Sequence, residues 1–200
     1  MTEQRRRRAA TEEKVARVLD AAEEIMLREG YAAVTSRNVA ARIGIQPSLV
    51  HYYFPTVDDL FVALLRRRSS RIVERMEEAL ASAQPLRAWW DLASDPRGTG
   101  LFIELLAAAN HRPALKAEMG EVAREVRQMQ MAVLDKIQHE YGLDPHEFPP
   151  ALIAATVQGL ALAIVADETA GYQTAHKQAR AAVSRLVTRL EQRRARRHPH

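Results

Sequence analysis

Two stretches of this chain carry side chains suited to nucleic acid. The first is a run of four arginines, Arg5 to Arg8. The second spans residues 35 to 54, where Thr35, Ser36 and Arg37 are followed by Gln46, Pro47, Ser48, Leu49, His51 and Tyr52. This second stretch contains two arginines and no carboxylate, as a surface facing phosphates requires. Arginine outnumbers lysine 25 to 4 and clusters again at Arg66 to Arg68 and Arg193 to Arg197. Guanidinium forks match phosphate oxygens and base edges. An Arg- and Ala-rich composition is equally what a GC-rich genome produces, so the net charge of +4 does not settle the matter.

Other chemistries find little support. The absence of cysteine excludes disulfides, zinc knuckles, thiol nucleophiles and Cys-ligated iron–sulfur clusters. His139 and His146 flank a proline-bearing loop, and His198 and His200 end the chain. No histidine pair has the four-residue spacing, with a carboxylate, of a zinc hydrolase. There is no G-x-S-x-G elbow or dinucleotide fingerprint, and Gly98-Thr99-Gly100 follows no strand. No catalytic residue, metal or cofactor is expected, and an enzyme is the weaker alternative.

The elements that must position these groups are helical. Gly and Pro are scarce and fall at punctuation points, Ala is abundant and β-branched runs are short, which predicts an all-α fold. Residues 1–10 read as a basic disordered arm. From Thr11, a candidate N-cap, Val15, Val18, Leu19, Ala22, Ile25 and Met26 recur at helical spacing up to a stop at Gly30. Thr35 caps a short second helix with Val39, Ala40 and Ile43 inward. Gly44 supplies a left-handed turn, and Pro47 opens a third helix at a position with no N–H to lose. Leu49 or Val50, with Tyr53 and Phe54, anchors that helix and leaves Gln46, Pro47, Ser48, His51 and Tyr52 outward. Two short helices joined by a tight turn form a helix-turn-helix, whose second helix enters the DNA major groove. An ordinary three-helix core with an aromatic cluster has similar spacing.

Thr56 and the acidic pair Asp58-Asp59 start a long connecting helix over 57–83. Proline and glycine then divide the remainder into helices at about 86–94, 100–111, 114–141, 150–170 and 174–194, nine in all, with a tail at 195–200. The segment from Ala151 to Ala166 is apolar almost all round. It is short and Ala-rich for a membrane span and reads as a helix buried between others. The final helix carries Val183, Leu186, Val187 and Leu190 on one stripe. With Leu152, Thr156, Gly159 and Ala163 of the penultimate helix, it forms a candidate homodimer surface closed as a four-helix bundle. The N-terminus has basic residues with no apolar core after them, so it is not a secretory signal, and a cytoplasmic location is expected.

The stretch Thr35 to Leu60 resembles the helix-turn-helix signature of the TetR family of bacterial transcriptional repressors. The resemblance rests on Thr35, Arg37, Val39 and Ala40, then Gly44 and Ile45, then His51, Tyr52, Tyr53 and Phe54, then Asp58, Asp59 and Leu60. It implies a nine-helix, two-domain architecture: a helix-turn-helix domain at 11–56 and a helical effector-binding and dimerisation domain at 57–194. By this resemblance Arg37 reaches a guanine, Thr35 and Ser36 hold phosphate, and Gln46, Pro47, Ser48 and Leu49 face bases. Tyr52 meets the backbone. The chain departs from the pattern at His51, where tyrosine is usual, and at Val57, where most members place a phosphate-binding lysine. Arg5, Arg6, Arg7 and Arg8 are the natural compensation, along or inside a minor groove; the same arm is otherwise a solvated tail.

Trp89, Trp90, Phe102, Met119 and Met129, with Asn110 and Gln158 as polar handles, fit two readings. They are the core of a helical domain, or the lining of an apolar small-molecule pocket, which the resemblance favours. The expected function is a dimeric repressor released from a palindromic double-stranded DNA operator by a small-molecule effector, with no membrane partner. The alternative is a helical ligand-binding or scaffold protein that does not bind DNA.

Overall fold

The structure, a computed structural model, describes residues 3–197, without the side chains of 4 and 173–176. Among the described residues it has nine α-helices and no strand: α1 (Glu3–Glu29), α2 (Ser36–Ile43), α3 (Pro47–Tyr53), α4 (Val57–Ala81), α5 (Pro85–Ala93), α6 (Pro96–Ala109), α7 (Pro113–Tyr141), α8 (Pro150–Thr169) and α9 (Gln173–Arg197). A single 3-10 turn, Tyr31–Ala33, follows α1. Five helices open on proline, whose fixed φ suits the first helical position and whose missing N–H costs nothing there.

Three helix boundaries differ from the sequence reading. Thr11 is not a cap, because α1 starts at Glu3 and the Thr11 hydroxyl donates to the carbonyl of Arg7 at 3.0 Å. Residues 3–10 are therefore helix rather than a disordered arm. Their composition favours helix, and the pairs Arg7–Glu3 and Arg8–Glu12, at 2.8 and 2.9 Å, have the spacing that supports it. The Asp95-to-Gly100 loop is shorter than expected. Pro96 opens α6 and the Asp95 carboxylate accepts the N–H of Arg97 at 3.2 Å, so an Asp-Pro start outweighs the two glycines. Finally, α9 runs to Arg197, its last turn carrying Arg194, Arg196 and Arg197 on the negative end of the dipole. His198 and His200 lie outside the described residues.

The chain forms two compact units. The first contains the residues up to Arg68 together with Gly100–Val122, and the second contains Ser69–Thr99 with the residues from Ala123 on. In the first, α1 packs on α2 and the 3-10 turn, and α2 packs on α3. Val18, Ala22, Ile25 and Met26 of α1, Val39 and Ala40 of α2, Val50 of α3 and Leu60, Phe61 and Leu64 of α4 are buried. Leu101, Leu105 and Leu115 are buried in the same unit. Each of the Val, Leu, Ile, Met and Phe side chains among them contributes about 1.5–3 kcal/mol on removal from water.

In the second unit α5 packs on α8 and α9, which also pack on each other. The core comprises Leu86, Trp89, Trp90, Val133, Leu134, Ile137, Tyr141, Ala154 and Val187. Polar ties lock it. The Tyr141 hydroxyl accepts the N–H of Leu86 at 3.2 Å, and Glu191 accepts the N–H of Arg87 at 3.0 Å, satisfying donors at the start of α5. The helix expected to be buried between others, α8, is not. Only Ala154, Ala161 and Ile164 are buried, while Leu152 and Leu162 are half exposed, because the contacts it makes within its own chain run along one side. By length and composition it is long and apolar enough to cross a membrane.

Candidate DNA-binding surface

The geometry of residues 35–54 follows from local chemistry. The Thr35 hydroxyl accepts the N–H of Asn38 at 3.1 Å and caps α2. The Asn38 amide donates to the carbonyl of Ala33 at 2.9 Å, fixing the entry to the helix. Gly44 has φ 68° and ψ 37°, a left-handed conformation that costs glycine nothing, and it turns the chain from α2 into α3. Arg17 of α1 donates to the carbonyl of Ile43 at 3.3 Å and braces that turn. Val50 is fully buried and Phe54 nearly so, and they hold α3 by its inner face. The Thr56 hydroxyl accepts from Asp59 N–H at 3.1 Å, and the Asp59 carboxylate accepts from Thr56 N–H at 2.9 Å. This reciprocal cap starts α4.

What remains outward is the set read from the sequence. Thr35, Arg37, Gln46, Pro47, Ser48 and His51 are exposed, and Ser36 and Leu49 are half-buried. Tyr52 is 77% exposed, its ring edge-on to Tyr53 at 5.2 Å between centroids. The side chains of Arg37, Gln46, Ser48 and His51 hold no hydrogen bond or ion pair among the described residues. Arg42, the other arginine of the stretch, is taken. It pairs with Glu29 at 2.5 Å and Glu24 at 3.3 Å on α1, leaving Arg37 as the guanidinium without an intrachain role. Val57 is half-buried and offers no donor to phosphate.

Residues 18–64, the stretch just described, match the family of bacterial regulatory proteins, tetR family. These residues form a helix-turn-helix domain of the TetR family. The chain is 28% identical over 65 residues to a fatty acid metabolism regulator protein of Bacillus subtilis. That match spans 32% of this chain and 34% of the relative's length. A transcriptional regulator from Rhodococcus shares the whole fold, with a TM-score of 0.64 at 24% identity over 90% of this chain and 94% of that one. A regulator from Saccharomonospora viridis, solved in complex with choline, gives 0.68 at 17% identity, covering 92% and 94%. TetR-family regulators are not enzymes.

The sequence reading sets Arg5 to Arg8 along or inside a minor groove, as compensation for the missing lysine at Val57. All four are exposed on α1, with Arg7 and Arg8 in ion pairs and Arg5 and Arg6 unpaired among the described residues. A helix about 10–12 Å across does not enter a minor groove about 6 Å wide.

The expected effector residues divide between the two units. Trp89 and Trp90 fill the core of the second unit and Met129 packs against it, while Gln158 is exposed on α8. Phe102, 39% exposed beneath the Arg68 guanidinium at 5.0 Å, belongs to the first unit with exposed Asn110 and half-buried Met119. Of the seven, Trp90 alone lines the open groove of about 470 Å³ in the second unit. The other groove residues, among them Arg75, Asp91 and Arg180, come from separate helices, and nothing in their local sequence marks them.

The expected dimer residues divide. Leu152 and Leu186, 50% and 52% exposed, and Thr156, Gly159 and Ala163 are on the surface. Val187 is instead buried in its own chain's core, and Val183 and Leu190 pack against that core. The apolar stripe of α9 therefore faces inward, with Leu186 beside it. Among the described residues no group of three or more His, Asp or Glu is placed to hold a metal.

Proposed function

We propose that this chain is a dimeric repressor that binds a palindromic operator through α3 and is released by a small-molecule effector. The carrying observation is a helix-turn-helix held by buried Val39, Ala40, Val50 and Phe54 while Arg37, Gln46, Ser48 and His51 are exposed and hold no hydrogen bond or ion pair among the described residues. A two-fold dimer sets two α3 helices about 34–36 Å apart, one turn of DNA. Arg37 takes guanine O6 and N7, Gln46 takes adenine, and Thr35 and Ser36 take phosphate. Arg5 and Arg6 add phosphate contacts that Val57 does not supply. The exposed leucines of α8 and α9 support pairing of two copies through those helices, and a cytoplasmic location follows from an operator partner.

Packing of residues 100–122 with the DNA-binding helices supports a route for release. Glu104 accepts the N–H of Tyr31 at 2.8 Å, and Arg112 pairs with Asp58 and lies over the Phe61 ring at 4.9 Å. Arg66 pairs with Glu118 at 2.6 Å. Because α4, α6 and α7 each continue into the second unit, an effector bound there that prefers one arrangement of these helices displaces the operator. The choline held by the Saccharomonospora viridis protein supports a small-molecule effector in this role.

The test is selection of bound fragments from random DNA. The proposal expects a palindrome with half-sites one helical turn apart, bound with a steep salt dependence. Enrichment of no sequence would favour a ligand-binding protein without DNA affinity and overturn the proposal.

A further inference from the structure

The second unit contains a groove in which one buried guanidinium N–H and one carboxylate lack partners among the described residues. Its walls come from α4, α5, the turn before α6, and α9, and its volume of about 470 Å³ falls within the range of about 300–1,000 Å³ usual for small-molecule sites. Arg180 of α9 donates from Nη2 to the carbonyl of Ser94 at 2.6 Å, yet its Nε is buried with no hydrogen-bond partner. No other described side chain has a buried N or O in that state. Asp91, exposed one residue after Trp90, has no ion pair or hydrogen bond among the described residues. The remaining charges of the groove, Arg75 and Asp95, pair with each other loosely at 3.6 Å.

Leaving a donor buried and unpaired is costly, and an acceptor placed there recovers the cost. A carboxylate is the acceptor that fits a guanidinium best. A simple anion in this groove would face the Asp91 carboxylate, and a simple cation would leave Arg180 unsatisfied. One molecule carrying both charges answers both groups. We propose that the groove binds a zwitterion of the α-amino-acid type. Its carboxylate meets Arg180, with Arg75 nearby, and its ammonium meets Asp91 beside the indole of Trp90. Because Nε is buried, binding draws the half-buried Arg180 side chain toward the groove and trades the Ser94 carbonyl for the ligand. The inference rests on the reading of the second unit as the effector-binding part and names the class of effector.

The test uses the full-length protein and the indole N–H resonances of its two tryptophans, assigned with Trp89→Phe. Standard L-amino acids are added singly. The expected result is that at least one shifts the Trp90 indole saturably. Its analogue lacking the ammonium and its analogue lacking the carboxylate should each bind at least tenfold more weakly, and Asp91→Asn and Arg180→Gln should each weaken binding tenfold or more. Asp91 is exposed, so Asp91→Asn remains informative if Arg180→Gln unfolds the chain. No Trp90 shift with any amino acid overturns the proposal. So does equal binding of either half-molecule, or full binding by Asp91→Asn. Operator selection is scored separately: DNA binding with a silent groove removes the zwitterion site alone, and a responsive groove without operator binding removes the repressor reading.

Discussion

The Glu104 carboxylate on α6 accepts the backbone N–H of Tyr31, just past the end of α1, at 2.8 Å. Gly30, with φ 84°, lets the chain leave α1 in a direction that presents this N–H outward from the helix. A residue from the middle of the chain thereby satisfies a donor at the edge of the DNA-binding helices. Glu104→Ala removes that acceptor and should cost about 1–3 kcal/mol. Glu104→Gln keeps a carbonyl oxygen there and should cost less. Amide hydrogen exchange reports the bond directly: Tyr31 should lose protection in the alanine variant and retain most of it in the glutamine variant.

Arg37 and Arg42 lie five residues apart on one short helix and should behave oppositely. Arg37 is unpartnered, so Arg37→Ala should leave folding stability within about 0.5 kcal/mol while relaxing selection at one base pair by about 1–3 kcal/mol. Arg42 is tied to Glu29 and Glu24 on α1. Arg42→Ala should lower the melting temperature and leave the preferred sequence unchanged. Repeating the fragment selection with each variant, alongside thermal unfolding, decides the point. Equal loss on operator and random DNA for Arg37→Ala would remove its base-reading role.

The helix-turn-helix was legible because its determinants are local. Thr35, Gly44 and Pro47 each act within four residues, through a cap, a left-handed φ and a missing N–H, and the structure has all three where the sequence placed them. The α1 start was misread because Thr11 looks like a cap, whereas the helix-favouring Arg and Glu residues before it extend the helix. The packing of residues 100–122 with the DNA-binding helices was invisible, since it depends on contacts such as Tyr31–Glu104 and Asp58–Arg112 that no local pattern encodes. The same holds for the groove residues Asp91 and Arg180, which stand on different helices.

Arg5 and Arg6 set a prediction about salt. If they contact phosphates, Arg5→Ala with Arg6→Ala should weaken binding to all sequences alike and reduce the slope of log K against log salt by about 1–2. The helical signal in circular dichroism should hardly change, because the Arg7–Glu3 and Arg8–Glu12 pairs remain. An unchanged slope would assign these arginines to solvent.

The two neighbouring residues Leu186 and Val187 on α9 separate association from folding. Leu186 is 52% exposed and Val187 is 4% exposed in the core with Trp89 and Tyr141. Leu186→Glu places a charge on the surface proposed to pair, so it should yield a folded monomer in sedimentation at micromolar concentration. Val187→Ala removes buried methyl groups and should cost roughly 2 kcal/mol of stability while the mass in solution stays that of a dimer. A Leu186→Glu protein that sediments like the parent would move the pairing surface away from α9.

Tyr141 makes the stability of the second unit sensitive to alkali. Burial pushes its hydroxyl well above the usual tyrosine value of about 10, and the hydrogen bond to Glu191 pushes the same way, while the Leu86 N–H opposes them. The folded state therefore holds this proton more tightly than the unfolded chain. Its contribution is fully present below about pH 10 and is lost as the pH rises above that, when the unfolded chain gives up the proton first. Urea unfolding between neutral pH and pH 11 should show stability falling over the last unit. In Tyr141→Phe that share of the fall should disappear. The variant should also cost about 1–3 kcal/mol at neutral pH, because Leu86 N–H loses its acceptor and Glu191 loses a donor. A variant as alkali-sensitive as the parent would show that other groups, and not this buried hydroxyl, govern the decline.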